Sequence, residues 1–434
     1  MVPAMRVGFL NPQPYMQPAI ERLGTALEVH PIEAHTWQSH EMDRIADDCR
    51  RRGIRAVAGF AQKDAFQHIL VNERLGNPVP SRVAFFHCMN KYLMRTLEPD
   101  PFFFAPVDPL VDSDDEVLAR IPDQEWPFML KNTSLSLGRG IFKIGDADKL
   151  RHVLAAYRDD WELQNLLASQ NAAYLEGVDP EGLPAHAPPF LAEHYVDNNE
   201  ATEYCYEGYV TAEGEVVHYG LTEEIYFSDH QALGYLTPPV SIDATVAARI
   251  EAWVEDYMRA LVDLGYRAQF FNLEFWITPD GSIRLTEINP RAAHSYHYNY
   301  WYCYGSSLYG DNLVLAAGGR PGEATPWHCW RNGERGQYTL IVLITGKEPG
   351  RVADILDYDY VAQLERDENV LIRHTKGPDD VLWAGDLTAA GVMLQQLWIT
   401  GETLSQVIAR EREIRSRIYR RPQDDVAYPE YWTP

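Results

Sequence analysis

The chain has 434 residues, 46% of them hydrophobic, with a formal net charge of −25 and a pI near 4.9. That length supports several hydrophobic cores, which predicts two to four lobes rather than one. The acidity argues against free nucleic acid as a partner, because phosphate binding wants a basic surface.

No apolar run of membrane length occurs in the sequence, and the segment MVPAMRVGFLNPQPY lacks a signal-peptide core. Five scattered cysteines (Cys49, Cys88, Cys205, Cys303 and Cys329) form no CxxC pair. The expectation is a cytoplasmic protein with reduced thiols and no membrane partner.

RVGFL (6–10) reads as a first strand, followed by a polar, helix-compatible segment and a second strand, IRAVAGF (54–60). KDAFQHILVNERLG (63–76) is an amphipathic helix stopped by Gly76, and SRVAFF (81–86) reads as a third strand. Strands alternating with helices predict a small parallel α/β domain. NKYLMRTLE (90–98) is helix-like and leads into a Pro-rich stretch. WPFMLKN (126–132) and GIFKIG (140–145) are two strands around a Ser/Gly loop, and residues 165–189 read as irregular.

Strands resume at PFLAEHYV, TEYCYEGYVT and EVVHYGLTEEIYF, with AEG (212–214) as a turn. In IDATVAARIEAWVEDYMRALVDLG (242–265), Val246, Ile250, Trp253, Val254, Tyr257, Leu261 and Leu264 recur at helical spacing, and Gly265 is the stop. The tail holds QYTLIVLITG, a charged middle, GVMLQQLWITG and a final charged helix.

FFNLEFWITPDGSIRLTEINPR (270–291) carries the chemistry. Two strand-like runs flank PDGS, and Asp-Gly is a strong hairpin signal. With Asp280 and Gly281 as a two-residue turn, Glu274 faces Glu287 and Asn272 faces Asn289. Alternation then puts Asn272, Glu274, Glu287, Asn289 and Arg291 on one side, and Leu273, Phe275 and Ile288 on the other. Like charges directly opposite repel. Two carboxylates and an amide oxygen are hard ligands that would hold Mg²⁺ or Mn²⁺ together with a phosphate-bearing substrate, and Arg291 would reach the same phosphates. A solvated hairpin whose acids pair with arginines such as Arg284 is the competing reading.

Over residues 87 to 315 the sequence resembles the ATP-grasp superfamily, whose metal signature is an acid-bearing strand and hairpin before EINPR (287–291). By that resemblance Lys91 in NKYLMR reaches the nucleotide phosphates. FMLKNTSLSLGRGIFKI (128–144) is the strand, flexible loop and strand that close over ATP. Lys131 would contact the α-phosphate side, and the loop from Ser134 to Gly140, including Ser136 and Gly138, would cradle phosphate; Leu135 and Leu137 depart from its usual glycine-rich pattern. In FLAEHYV the hinge residues Glu193, His194, Tyr195 and Val196 would border adenine, and Glu203 would face the nucleotide or metal.

The resemblance implies an α/β (α+β) ATP-grasp fold. Residues 1–86 would be an N-terminal parallel α/β domain and 87–189 the first lobe with the phosphate loop. Residues 190–325 would be the second lobe with the metal site, and 326–434 a C-terminal α+β lid region. It also implies ATP and Mg²⁺ (or Mn²⁺) as cofactors, a homodimer as an open option, and a ligase of carboxylate and amine substrates. The layout is most similar to the L-amino-acid ligases, and YFSDHQALGYLTPPVSI (226–242) resembles their substrate-side segment.

A biotin-carboxylase-like enzyme and a non-catalytic ATP-binding regulatory module are the alternatives; the acid that carboxylases place just beyond the arginine is absent from AAHSYHYNYWYCYG (292–305). That segment reads either as aromatic core packing or as a specificity wall, with His294, Ser295, His297 and Trp301 as substrate candidates. No third ligand accompanies the two histidines to make a zinc site.

Overall fold

The computed structural model describes residues 5–23, 27–135, 139–182, 184, 187–197, 200–227, 232–321, 336–387 and 391–421. Ser136 and Gly138 of the expected phosphate loop, and Cys329, lie outside these. The four other cysteines are buried free thiols.

Near the N-terminus β1 (Met5–Leu10) is flanked in parallel by β2 (Leu27–Ile32) and β3 (Val57–Ala58). The helices Ser39–Arg52 and Gln62–Leu75 pack around them and end at Gly53 and Gly76, whose φ of 68° and 79° only glycine adopts cheaply. β2 was hidden in the polar stretch because LEVHPI carries Glu28 and Pro31, which an edge strand tolerates. The expected third strand at 81–86 is instead the helix Arg82–His87. Ser81 caps it by accepting from Ala84 N at 3.0 Å, while its hydroxyl donates to Leu264 O at 2.6 Å. Ala84, Phe85 and Phe86 are all buried, so a run of six showed no period by which to tell helix from strand.

A second sheet joins β4 (Phe104–Val107), β5 (Phe128–Asn132), β6 (Ile141–Ile144) and β7 (Phe190–His194) in the order β4-β7-β5-β6, all antiparallel. Residues 165–174, read as irregular, lie in the helix Trp161–Tyr174, which Asp160 caps by accepting from Leu163 N at 3.0 Å. β7 follows the expected boundary at 189/190 and pairs with β4 and β5.

The largest sheet is built from β8 (Thr202–Val210), β9 (Val216–Tyr226), β10 (Ala232–Thr237), β11 (Gln269–Ile277), β12 (Ile283–Asn289) and β13 (Tyr338–Gly346), then β15 (Val370–His374) and β17 (Val392–Gly401). Between the last of these, β14 (Gly350–Arg351) and β16 (Val381–Leu382) pair with each other. The order is β12-β11-β8-β9-β10-β13-β17-β15, so strands from the C-terminal region extend the same sheet as the hairpin.

One face of its first half is covered by the helix Ala244–Asp263, capped by Asp243. Ile250, Val254, Tyr257 and Leu261 bury against Leu273, Phe275 and Ile288, as the alternation requires. The other face carries both polar side chains and a second apolar cluster that includes Cys205, Tyr209, Tyr219 and Phe270. Among the described residues no helix is long and apolar enough to cross a membrane.

Candidate active site

The hairpin β11–β12 sets the site. Asn272 pairs with Asn289 and Glu274 with Glu287, as the sequence predicts, but the predicted two-residue turn is wrong. The loop has three residues, Pro279 to Gly281: Gly281 N donates to Thr278 O at 2.7 Å, Thr278 N donates to Ser282 O at 3.0 Å, and Gly281 has φ 81°. That alone would pair every residue one position out. Opposite the Glu274–Phe275 step, however, β12 carries one extra residue, Thr286, and this bulge restores the register at the carboxylates. Thr286 is used twice, since its hydroxyl donates to Glu203 Oε1 at 2.7 Å.

Glu274 and Glu287 are half-buried and directly opposed across the hairpin. Burial first, and then the facing Glu287, push the Glu274 carboxyl well above its ordinary range. Asn289 Nδ2 donates to Glu274 Oε1 at 3.2 Å and to Glu287 Oε1 at 3.4 Å. A positive amide edge thus lies between two carboxylates, where a cation would be stabilised; turned over, the amide offers Oδ1 instead. Among the described residues no three His, Cys, Asp or Glu side chains form a metal cage by themselves. The donor set fits a hard divalent cation whose remaining ligands are phosphate and water oxygens.

Lys91 and Lys131 approach from the first lobe. Asn90 caps the helix Lys91–Thr96, and its Nδ2 donates to Thr133 Oγ1 at 3.2 Å, tying the helix to the loop after β5. Lys91 Nζ donates to Leu135 O at 2.7 Å and lies 3.4 Å from Glu287 Oε2. Lys131, on β5, pairs with Glu193 Oε1 at 2.5 Å. Glu193 also takes Arg95 Nη2 on its other oxygen at 2.5 Å. Burial alone would raise the Glu193 pKa, but Arg95 and Lys131 overcome it and hold the carboxyl at about 2. Arg95 further binds Glu98 at 2.7 Å and the Leu285 carbonyl, so it joins β7 to the hairpin.

Lys131, Glu193 and Arg95 line a cleft with His194, Tyr195, Val196, Glu203 and Trp276. His194 Nδ1 is 2.8 Å from Glu125 Oε2, and Lys143 lies over the Tyr195 ring at 3.6 Å. Glu203 is buried and accepts from Tyr226 OH at 2.5 Å; burial raises its pKa. In the loop, Ser134 N and Leu135 N donate to Asn132 Oδ1 at 3.1 and 3.2 Å, so these two amides close a local turn. Gly140 has φ 69°, and a Cβ there would come within 2.8 Å of Asn132 Cβ.

Arg291 Nε donates to Gln62 Oε1 at 3.1 Å and Nη2 to Asn289 Oδ1 at 3.4 Å. His294 Nδ1 is 2.6 Å from Tyr15 OH. Burial first, then Arg373 and Arg291, lower the His294 pKa to about 3, so the imidazole is neutral. Ser295 contributes its carbonyl, which accepts from Trp398 Nε1 at 2.8 Å. His297 is buried and stacked on Tyr309 at 4.0 Å, and Trp301 stacks on His297 beneath Arg22. Tyr296, Tyr298 and Tyr300 are core residues. For most of the aromatic run, geometry supports the packing reading.

Several residues around the site escaped the sequence reading. Arg95 stands four residues after Lys91 on one helix, a spacing that could have revealed it. Glu224 is buried, as Glu203 is, and burial first, then Glu203 and Glu274, raise its pKa well above normal. Counting back from the AEG turn would have missed it, because a bulge at Glu207/Gly208 shifts the pairing. Gln62 and the buried Glu207, whose Oε1 accepts from Ala293 N at 3.1 Å, had no signal in sequence.

No family model matches the sequence, and curated proteins yield no match. Solved structures do match. An L-amino acid ligase from Bacillus licheniformis superposes with a TM-score of 0.68 at 14% identity, over 96% of this chain and 98% of that one. N5-carboxyaminoimidazole synthase from Aspergillus clavatus, in complex with ADP and 5-aminoimidazole ribonucleotide, gives 0.65 at 17% identity over 95% and 98%. The biotin carboxylase domain of a Hydrogenobacter thermophilus 2-oxoglutarate carboxylase, with MgADP and bicarbonate, gives 0.65 at 14% over 96% and 90%. At these identities the likeness establishes architecture, and over nearly its whole length the chain has the ATP-grasp fold.

Proposed function

We propose that the protein is an ATP-dependent, ADP-forming ligase that activates a carboxylate as its acyl phosphate and joins it to an amine. The observation that carries this is the facing pair Glu274 and Glu287 with Asn289 and Arg291 on the same face, next to the cleft of Lys131 and Glu193. Adenine would lie beside Tyr195 and Val196, with Lys131 and Lys91 along the triphosphate. Glu274, Glu287 and Asn289 would hold Mg²⁺, which when bound neutralises charge on the β- and γ-phosphates.

In the first step a carboxylate oxygen attacks the γ-phosphorus and the bond to the β–γ bridging oxygen breaks, releasing ADP. In the second an amine nitrogen attacks the acyl carbon, phosphate leaves with the C–O electrons, and the amine gives up a proton. Arg291, oriented by Gln62, supplies a two-pronged donor where charge develops on the transferring group. No protein nucleophile is needed.

The test is a screen of amino acids, small acids and bicarbonate paired with amines, scored by phosphate release and product mass. Phosphate release that needs one particular acid, with a matching amide product, supports the reading. ATP binding with no acid-dependent phosphate across the screen would remove it.

A further inference from the structure

A cavity of about 240 Å³ lies inside the first lobe, across the sheet from the cleft of Lys131. Alternation along β5 and β6 sends Met129, Lys131 and Ile141 to the cleft and Asn132 and Phe142 to the cavity. Its far wall is apolar, built from Val153 and Tyr157 of the helix Ala147–Asp159, Leu163 of the helix Trp161–Tyr174, and Phe190 of β7. The exposed His152, Ala156 and Asp160 mark its mouth.

The loop between β5 and β6 borders the cavity through Leu135 and Gly140. Leu135 is one of the residues that depart from a glycine-rich loop, and it packs on the core of this lobe. Its N–H is held by Asn132 Oδ1 at 3.2 Å, and its carbonyl accepts from Lys91 Nζ at 2.7 Å. Lys91 Nζ in turn lies 3.4 Å from Glu287 Oε2, so one residue of the cavity wall connects to the acidic hairpin.

Asn132 is buried, and among the described residues its Nδ2 has no hydrogen-bond partner. A buried donor left unpaired is unfavourable, and an acceptor brought into the cavity would relieve it. An apolar cavity of roughly 150 Å³ is enough for benzene, so this one has room for a ring and a polar substituent. No lysine or arginine lines it and Asp160 stands at the mouth, which disfavours an anion.

We propose that this cavity is an effector site for a small neutral molecule, an apolar ring carrying one hydrogen-bond acceptor, whose binding weakens nucleotide binding through Leu135. An occupant packs on Leu135 and pairs with Asn132, and so holds the arrangement in which Lys91 is committed to the Leu135 carbonyl and Glu287. A triphosphate has to draw that ammonium away, so the two ligands oppose each other. The coupling rests on the ligase reading for the place of the nucleotide; the binding does not.

The probes are acetophenone, a ring with a carbonyl acceptor, ethylbenzene, which lacks the acceptor, and benzoate, which adds a charge. Calorimetry and melting temperature should show acetophenone binding to the wild type and benzoate not binding. Asn132→Asp keeps the oxygen that holds the loop amides but loses the donor; it should weaken acetophenone about tenfold and ethylbenzene much less. Ala156→Trp closes the mouth and should abolish both, with Leu163→Phe as a second filling variant if the first does not fold.

For the coupling, saturating acetophenone should raise the Kd of MgADP about fivefold in wild type and leave it unchanged in Ala156→Trp. Acetophenone and ethylbenzene that both fail to bind the wild type, or that bind Ala156→Trp and Leu163→Phe equally well, overturn the site. Equal losses of both in Asn132→Asp overturn the part given to the amide. An MgADP affinity that acetophenone leaves unchanged or tightens overturns the effector role. MgADP that does not bind even without probe removes the ligase reading and the effector role with it, and the site is then decided by the binding arm alone.

Discussion

Glu193 shows how much one buried side chain can organise. It pairs with Lys131 from its own sheet and Arg95 from the helix Lys91–Thr96, so one carboxylate fixes two cations at the cleft proposed for the nucleotide. Its folded pKa of about 2 lies below the ordinary 4.5. Its contribution is therefore present above pH 4.5 and lost as the pH falls from there toward 2. Glu193→Gln should cost about 3 kcal/mol at neutral pH, because it leaves buried cations unpaired, and should flatten the acid limb of stability in that window. Urea midpoints across pH measure both.

At the metal pair, Glu287→Gln should cut ADP formation by about 100-fold or more while the melting temperature holds, since the loss falls on transition-state charge. Steady-state kinetics beside a thermal melt check it. These acids were legible because the information was local, two strands and a turn. Glu193 was legible only through the family resemblance, and its pairing with Arg95 was not, because burial of that ion pair is a tertiary fact.

Among the elements, the hairpin is the instructive case. The predicted pairing of the site residues is right although the predicted turn is wrong, because the longer loop and the bulge at Thr286 offset each other. Deleting Thr286 should send Glu287 and Asn289 to the opposite face, since side chains alternate along a strand. Calorimetry should then find no Mg²⁺-dependent nucleotide binding, while Thr286→Ala, which loses only the bond to Glu203, should retain it. Retained metal-dependent binding in the deletion would show that the bulge does not set the register. The helix Ala244–Asp263 was plain in sequence because its stripe, cap and stop agree. The helix Arg82–His87 and β2 were not, the first for lack of an exposed face and the second for lack of an apolar one.

At the level of the whole molecule, the N-terminal domain and the C-terminal strands meet over the segment that follows Arg291. Trp398 is fully buried there, stacked on Tyr15, packed on Tyr298 and bonded to the Ser295 carbonyl. Trp398→Ala should cost about 3–5 kcal/mol, the cavity and the lost bond together, and lower the denaturation midpoint. A midpoint within error of wild type would mean that the regions do not depend on this joint. The sequence showed the tail as strands and a helix, but it could not show that they extend the hairpin's sheet, because pairing of β10 with β13 joins residues about a hundred positions apart in the chain.

That continuity has a geometric consequence. β12 and β15 are the two edges of one eight-stranded sheet, yet Arg291, just past the first, and Arg373, on the second, bear on the same histidine. Tyr15 stands between the two regions, bonded to His294 at 2.6 Å and 5.0 Å from the Arg373 guanidinium. The span between those edges is set by strand number, twist and the bulges at four of the sheet's pairings, all of them hydrogen-bonded backbone. Side-chain replacement changes what those edges carry, while a change in the span between them takes an insertion or deletion in a strand.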